Sequence, residues 1–221
     1  MPKVAVCLSG CGVFDGSEIH EAVLTLLALD QAGAEYICCA PDKPQKDVID
    51  HAKQTPMMGA SRNVLSESAR IARGNIKPLS AIEAADIDAL IFPGGFGAAK
   101  NLCSYAADGA NCTVDPGVER LVSHMLEKGK PVGAICIAPA MLARIVGKKN
   151  LAASLTIGTD KSTAAAIEKM GARHCECGVT EMVADRKHKI VTTPAYMLGK
   201  GPAEVFTGIK ELVDEILRMA G

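Results

Sequence analysis

Gly133-Ala134-Ile135-Cys136-Ile137-Ala138-Pro139-Ala140 is the stretch whose reading decides the architecture. A short apolar run, Pro131 to Ile135, gives way at a single cysteine to small residues that can open a helix. Strand, turn and helix in that order are the repeating unit of an α/β sheet. A side chain at the junction is held out on a tight turn, the logic of a nucleophile elbow. Backbone N–H groups at the helix start lie near the sulfur, and their partial positive charge favours thiolate over thiol. Of the nine cysteines in the chain, Cys136 is therefore the candidate nucleophile.

The same grammar extends in both directions. Lys3 to Ser9 reads as a continuous apolar strand running into a glycine-rich turn, Gly10 to Gly16. Asp15-x-x-Glu18 has the form of a capping box, and Ile19, Val23, Leu26 and Leu27 make a helical stripe that ends near Gly33. Glu35 to Ala40 is a second buried strand, closed by Pro41. This is βαβ order and predicts a parallel sheet with right-handed crossovers. Further strands are expected at Ala89–Phe92, Val132–Ile135 and Leu155–Gly158, with helices at Val118–Leu126, Pro139–Val146 and Ala164–Met170. Glu181–Ala184 and Ile190–Thr193 flank the polar Asp185–Lys189 and predict a late hairpin. Pro202 starts a closing helix with Val205, Ile209, Leu212, Val213, Ile216 and Leu217 on its apolar face. The expected fold is α/β: one doubly wound domain over residues 1–221, with a mainly parallel sheet and helices on both faces. An elaboration at about 42–80 carries Arg62, Arg70, Arg73 and a helix near Leu65–Ala72, and is expected to wall a pocket or face a second subunit.

Composition narrows the function classes. Hydrophobic residues make up 48% of the 221, but aromatics only 3%, with no Trp. A core of Ala, Val, Ile and Leu suits helices on a buried parallel sheet. A net charge of −1 without a basic tract argues against nucleic acid or an anionic membrane surface as partner. No apolar run approaches the roughly 20 residues of a membrane span. Strand-like sequence begins almost at Met1, so no signal or transit peptide is read and the expected location is the cytoplasm. Cys7-x-x-x-Cys11 and Cys175-x-Cys177 match neither zinc nor thioredoxin spacing, and no metal site is expected. Cys7, Cys38 and Cys39 read as buried, inert strand thiols in a reducing compartment.

Ligands of an open α/β sheet gather at the carboxyl ends of its strands. Three motifs fall there: Ser9–Gly16, Pro93–Gly97 and Cys136-Ile137. Gly10-x-Gly12 lacks the third glycine of a dinucleotide fingerprint, because Asp15 occupies its place, and no acidic residue closes the second strand. Pro93-Gly94-Gly95-Phe96-Gly97 is a tight turn whose N–H groups, with that of Ile137, can form an oxyanion hole. Glu21 lies on the first helix, roughly opposite the Ile19/Val23/Leu26 stripe, a position that fits a solvated glutamate. Leu24 and Ala28 beside it leave no polar face for it to join, which weakens that reading. His20 is a candidate proton shuttle, though a histidine at a helix start is more often a surface or capping residue.

Taken whole, these motifs carry a resemblance. Ser9 through Ala22, Pro93 through Leu102, Ala134 through Ala140 and Thr192-Thr193-Pro194-Ala195-Tyr196-Met197 resemble the enhancing-lycopene-biosynthesis family, also called isoprenoid biosynthesis protein with amidotransferase-like domain. That family sits in the glutamine-amidotransferase-like superfamily, beside the Parkinson-associated deglycase and the intracellular peptidases. The resemblance implies a flavodoxin-like domain that is often dimeric, so a homodimer is expected. It implies Cys136 as the elbow cysteine, Glu21 as the helix-borne glutamate that hydrogen-bonds it, and Gly95 and Ile137 as backbone oxyanion donors, with Gly94 adjoining. It further implies cofactor-free conversion of a small reactive aldehyde, methylglyoxal or glyoxal, to the 2-hydroxy acid. One departure stands out. Hydrolytic members place a histidine after the elbow strand, where this chain reads Thr156-Ile157-Gly158-Thr159-Asp160, and His174 and His188 come only later. Peptide or glutamine hydrolysis is thereby disfavoured, and a redox or metabolite sensor is the alternative to an enzyme.

Overall fold

Lys3–Cys7 (β1) and Glu35–Ala40 (β2) run parallel, joined by the helix Ile19–Gln31 (α1). The computed structural model describes residues 1–221. The segment after β2 holds a small hairpin, Ile49–Asp50 (β3) with Thr55–Pro56 (β4), then the helix Val64–Ile71 (α2) and the strand Ile76–Pro78 (β5). Ala89–Phe92 (β6) follows, then the helices Phe96–Lys100 (α3), Tyr105–Asp108 (α4) and Pro116–Glu127 (α5). Val132–Ile135 (β7) leads into Ala138–Lys148 (α6). Ser154–Leu155 (β8), Lys161–Lys169 (α7) and Arg173–His174 (β9) come next, and Val183–Asp185 (β10), Ile190–Thr193 (β11) and Pro202–Ala220 (α8) complete the chain.

Seven strands form one sheet in the order β10-β11-β7-β6-β1-β2-β5. Every pairing in it is parallel except β10 against β11. From β1 the chain winds outward through β2 to β5, then returns to build β6, β7 and β11 on the other side. The direction of winding therefore reverses between β1 and β6, and the crevice at such a reversal is where ligands bind in open α/β sheets.

The period-2 alternation of the strands divides the core. Ala5, Cys7, Leu90, Phe92, Val132 and Ala134 face α5 and α6. Val4, Val6, Leu8, Ala89, Ile91 and Ile135 face α1 and α8. Gly133 has no side chain on that second face, and Leu212 and Ile216 of α8 pack into the space.

Several expectations need correction. The Ile19/Val23/Leu27 stripe of α1 is not its buried face: these residues are 43, 46 and 40% exposed, while Glu21, Ala22, Thr25, Ala28 and Leu29 turn inward. The helix is apolar nearly all round, so periodicity had two faces to choose from, and packing against α8 selects the one with smaller side chains. Asp15 is not the helix cap. Its Oδ2 accepts from Ile49 N at 2.7 Å, and Glu18 caps α1 by accepting from Glu21 N at 2.7 Å. The elaboration supplies a sheet strand, β5, which pairs with β2. The strand expected at Leu155–Gly158 is only Ser154–Leu155, and it pairs with Arg173–His174 outside the main sheet.

Candidate active site

The three strand-end motifs meet at the carboxyl ends of β1, β6 and β7. Cys136 sits between β7 and α6 with φ 62, in the left-handed region that non-glycine residues rarely occupy. Such strain persists only where surrounding contacts over-determine it. Here Cys136 N donates to Thr193 O at 2.9 Å at the end of β11, and α6 begins two residues later with Pro139 in its first turn, where a missing N–H costs nothing.

Glu21 reaches the same point from the first turn of α1. It is fully buried. Its Oε2 accepts from Gly94 N at 3.0 Å and its Oε1 from Tyr196 N at 3.1 Å, and the carboxyl and the Cys136 side chain come together over the bare Cα of Gly94, close enough to shift each other's titration. Burial, reinforced by the neighbouring Glu18 carboxylate, pushes its pKa up to about 8. The Cys136 thiol is also pushed well above its ordinary range, first by burial and then by the negative charge of Glu21. The neighbouring N–H groups of Gly95 and Ile137 pull the other way. The expected thiolate-favouring effect of the helix start is therefore present but outweighed. Two buried acids in contact cannot both ionise, so the pair keeps its protons through neutral pH and sheds the first near pH 8.

Gly94 has a different part from the one read in the sequence. Its N–H is spent on Glu21 and is not free to hold an oxyanion. A Cβ there would lie 2.4 Å from Cys136 Cβ and 2.5 Å from Glu21 Oε2, so the close approach of thiol and carboxyl requires glycine. Gly95, at φ 90, lies against the backbone of residues 16–18, where a Cβ would meet Glu18 N at 2.3 Å. His20 is exposed and reaches the site only at one remove, its Nδ1 2.7 Å from Tyr196 Oη. His188 is held by Asp185 at 3.0 Å, and His174 Nε2 faces Ile157 N at 3.4 Å.

Cys136 opens onto a cavity of about 430 Å³. No histidine, lysine or arginine lines it. Tyr196 and Met197 form part of its wall, as do Tyr105, Asp160 and Thr163. Tyr196 was visible in the sequence only as part of a resembling motif. Its structural part follows from Ala195, whose φ of 43 turns the chain so that Tyr196 N meets Glu21. The 42–80 segment lines none of the cavity. It braces the glycine-rich loop instead: Ser68 Oγ accepts from Gly10 N at 2.9 Å, and His51 Nε2 accepts from Phe14 N at 3.2 Å. No three His, Cys, Asp or Glu side chains cluster as metal ligands.

A strained elbow cysteine beside a buried helix-borne glutamate is thus in place, and comparison with known proteins gives it a family. The model of the DJ-1/PfpI family matches residues 11–195. The chain belongs to the DJ-1/PfpI family. It is 46% identical over 228 residues to the human glutamine amidotransferase-like class 1 domain-containing protein 3, mitochondrial, covering 99% of this chain and 84% of that protein. It is 34% identical over 233 residues to the ES1 protein, mitochondrial, of Danio rerio, covering 98% and 86%. The crystal structure of an isoprenoid biosynthesis protein with amidotransferase-like domain from Ehrlichia chaffeensis superposes with a TM-score of 0.92 at 37% identity, over 100% of both chains. Similarity within the DJ-1/PfpI family therefore spans the whole chain as well as the quoted motifs. Two of these relatives carry "mitochondrial" in their names, which the cytoplasmic expectation did not foresee. No helix is long and apolar enough to cross a membrane.

Proposed function

We propose that this DJ-1/PfpI chain is a cofactor-independent glyoxalase that converts methylglyoxal or glyoxal to lactate or glycolate. The observation that carries this reading is the buried Cys136–Glu21 pair, brought together over Gly94 where Cys136 lines a cavity, with the Gly95 and Ile137 N–H groups beside the sulfur. The Cys136 sulfur adds to the aldehyde carbon, and its proton passes to the carbonyl oxygen, giving a hemithioacetal. Glu21, in the carboxylate form that the pair reaches as it sheds its first proton near pH 8, removes the remaining hydrogen of that carbon as a proton. The freed electron pair forms the carbon–carbon double bond of an enediolate, whose charge is held by the two N–H groups. Glu21 returns the proton to the second carbon while the hydroxyl proton of the first carbon passes to the second oxygen, so that the first carbon becomes the C=O of a thioester of the 2-hydroxy acid. Water cleaves the thioester, releasing the acid and restoring the thiol. The net change is addition of one water, with no external oxidant or reductant. Positioned proton transfer of this kind contributes about 10²–10⁴ in rate.

The test is lactate formation from methylglyoxal by wild type and by Cys136→Ala. Loss of all enzymatic lactate in the variant is expected, and equal yields would end the proposal. Hydrolysis of peptides or glutamine is the least favoured reading, because no histidine base lines the cavity. Oxidation sensing, in a regulatory protein linked to isoprenoid metabolism, is the second reading. It is favoured by the proton that Glu21 keeps up to about pH 8, which suits donation to an oxidised sulfur. Peroxide treatment followed by peptide mass analysis should then modify Cys136 ahead of the other thiols; uniform modification of all nine speaks against it. All nine cysteines are free, which fits a reducing compartment such as the cytoplasm. A homodimer is also proposed, on the exposed Ile19, Val23 and Leu27 of α1. Sedimentation of a monomer at micromolar concentration would remove that part.

A further inference from the structure

The cavity is larger and more one-sided in charge than methylglyoxal requires. Methylglyoxal has five heavy atoms and fills roughly a third of 430 Å³, taking about 30 Å³ per heavy atom from the density of liquid water. Nine of the thirteen lining residues are hydrophobic, among them Val13, Phe96, Ala99, Ile137 and Met197. An apolar wall of this kind stabilises an apolar substituent and does nothing for a bare dicarbonyl.

The charges on the wall are all negative. Glu18 and Asp160 are the only carboxyl side chains lining the cavity, Glu21 lying behind it, and no lysine, arginine or histidine lines it. Glu18 is fixed by its bond to Glu21 N at 2.7 Å. Asp160 caps α7 by accepting from Thr163 N at 2.7 Å, and those contacts with Thr163 hold its carboxyl below the usual carboxylate range. Lys100, on the helix that carries Phe96 and Ala99, is occupied elsewhere: Nζ donates to Phe14 O at 3.0 Å and pairs with Asp47 at 3.1 Å. Tyr196 reports the same field, its hydroxyl pushed up by burial and then by the nearby Glu18, Glu21 and Glu204 side chains.

We propose that this cavity selects uncharged α-oxoaldehydes bearing an apolar substituent larger than methyl, such as an aryl group, and rejects anionic carbonyl compounds. The proposal deepens the glyoxalase reading and rests on it for the chemistry; the selection by charge does not. The same arrangement separates substrate from product. The aldehyde enters neutral, whereas the 2-hydroxy acid is formed as an anion in a cavity whose wall carries carboxyl groups and no cation, and is driven out.

Two measurements test it. The first compares kcat/KM for phenylglyoxal, followed as mandelate, with that for methylglyoxal, followed as lactate, in wild type and Cys136→Ala. Phenylglyoxal is expected to lead by at least about tenfold, the scale on which apolar pockets discriminate. Equal or reversed values overturn the size selection. The second needs no turnover. The alkylation rate of Cys136 by neutral iodoacetamide and by anionic iodoacetate is read by peptide mass, each relative to free cysteine in the same buffer. Iodoacetate is expected to be disfavoured by at least about tenfold, and Asp160→Asn, which keeps a capping side chain, should recover part of that loss, read as a rise in the iodoacetate-to-iodoacetamide rate ratio. Equal normalised rates in wild type overturn the charge selection. Failure of both aldehydes to react beyond Cys136→Ala would instead remove the glyoxalase reading and leave the alkylation result standing.

Discussion

Cys7 and Cys136 occupy matching places, each at the carboxyl end of a central parallel strand, and each is a free thiol shielded from water. Both are pushed well above the ordinary thiol range. Their causes differ. For Cys7 the largest is its contact with the Cys39 thiol on the neighbouring strand, followed by burial among apolar side chains. For Cys136 burial is followed by the charge of Glu21, and two backbone N–H groups oppose both. Cys7 continues an extended strand into the core, whereas the φ of 62 at Cys136 turns its sulfur toward the cavity. Burial alone thus makes an inert thiol. Burial combined with a carboxyl partner, N–H donors and an opening makes one poised for chemistry.

The largest expected effect is at Cys136 itself. Cys136→Ala should abolish aldehyde turnover, while Cys7→Ala should retain it with a stability loss of about 1 kcal/mol, the ordinary cost of a small core truncation. Matching activity in the two variants would erase the contrast. Glu21→Gln comes next, with kcat lower by about 10²–10⁴ because the amide cannot carry the proton. The same substitution leaves one of the Gly94 and Tyr196 N–H groups unpaired, at a cost of about 1–3 kcal/mol in chemical denaturation. Gly94→Ala follows: its Cβ must displace Cys136 or Glu21, with about 1–3 kcal/mol of overpacking and a fall in kcat larger than any change in KM.

Smaller effects appear in pH profiles. The alkylation rate of Cys136 should rise through about pH 8 as the Glu21–Cys136 pair loses its first proton, while Cys7 stays unlabelled in the folded protein. A flat profile across that range would show that the two groups do not share a titration. The same raised pKa acts on stability. The Glu21 carboxyl binds its proton more tightly folded than unfolded, so the folded state is favoured below the unfolded value of 4.5 and loses that advantage as pH rises to about 8. Thermal melts of wild type should decline over this window more steeply than those of Glu21→Gln, and parallel curves would refute the assignment.

Much of this was legible in the chain. Apolar runs bounded by glycine and proline located the central strands, because a strand covered on both faces must be apolar along its whole length. The elbow at Cys136 was legible as a strand meeting a run of small residues. The inward face of α1 was not: with apolar residues on nearly every side, the helix gave no preference, and Glu21 was picked out as the partner of Cys136 by the family resemblance rather than by periodicity. Gly94 was visible as a turn glycine, yet only its distance to Cys136 and Glu21 shows what the missing Cβ permits. Tyr196 lies 175 residues from Glu21 along the chain, so no local pattern links them.

The sequence by itself determined the α/β order of elements, the doubly wound sheet and the cysteine at its elbow, since these follow from short-range patterns of polarity and backbone freedom. Tertiary structure decided which face of α1 turns inward, which N–H groups meet Glu21 and which meet the sulfur, and how far both acids are pushed from their ordinary pKa values. Those outcomes depend on desolvation and on contacts between segments brought together only by the sheet, and neither is written in any stretch of neighbouring residues.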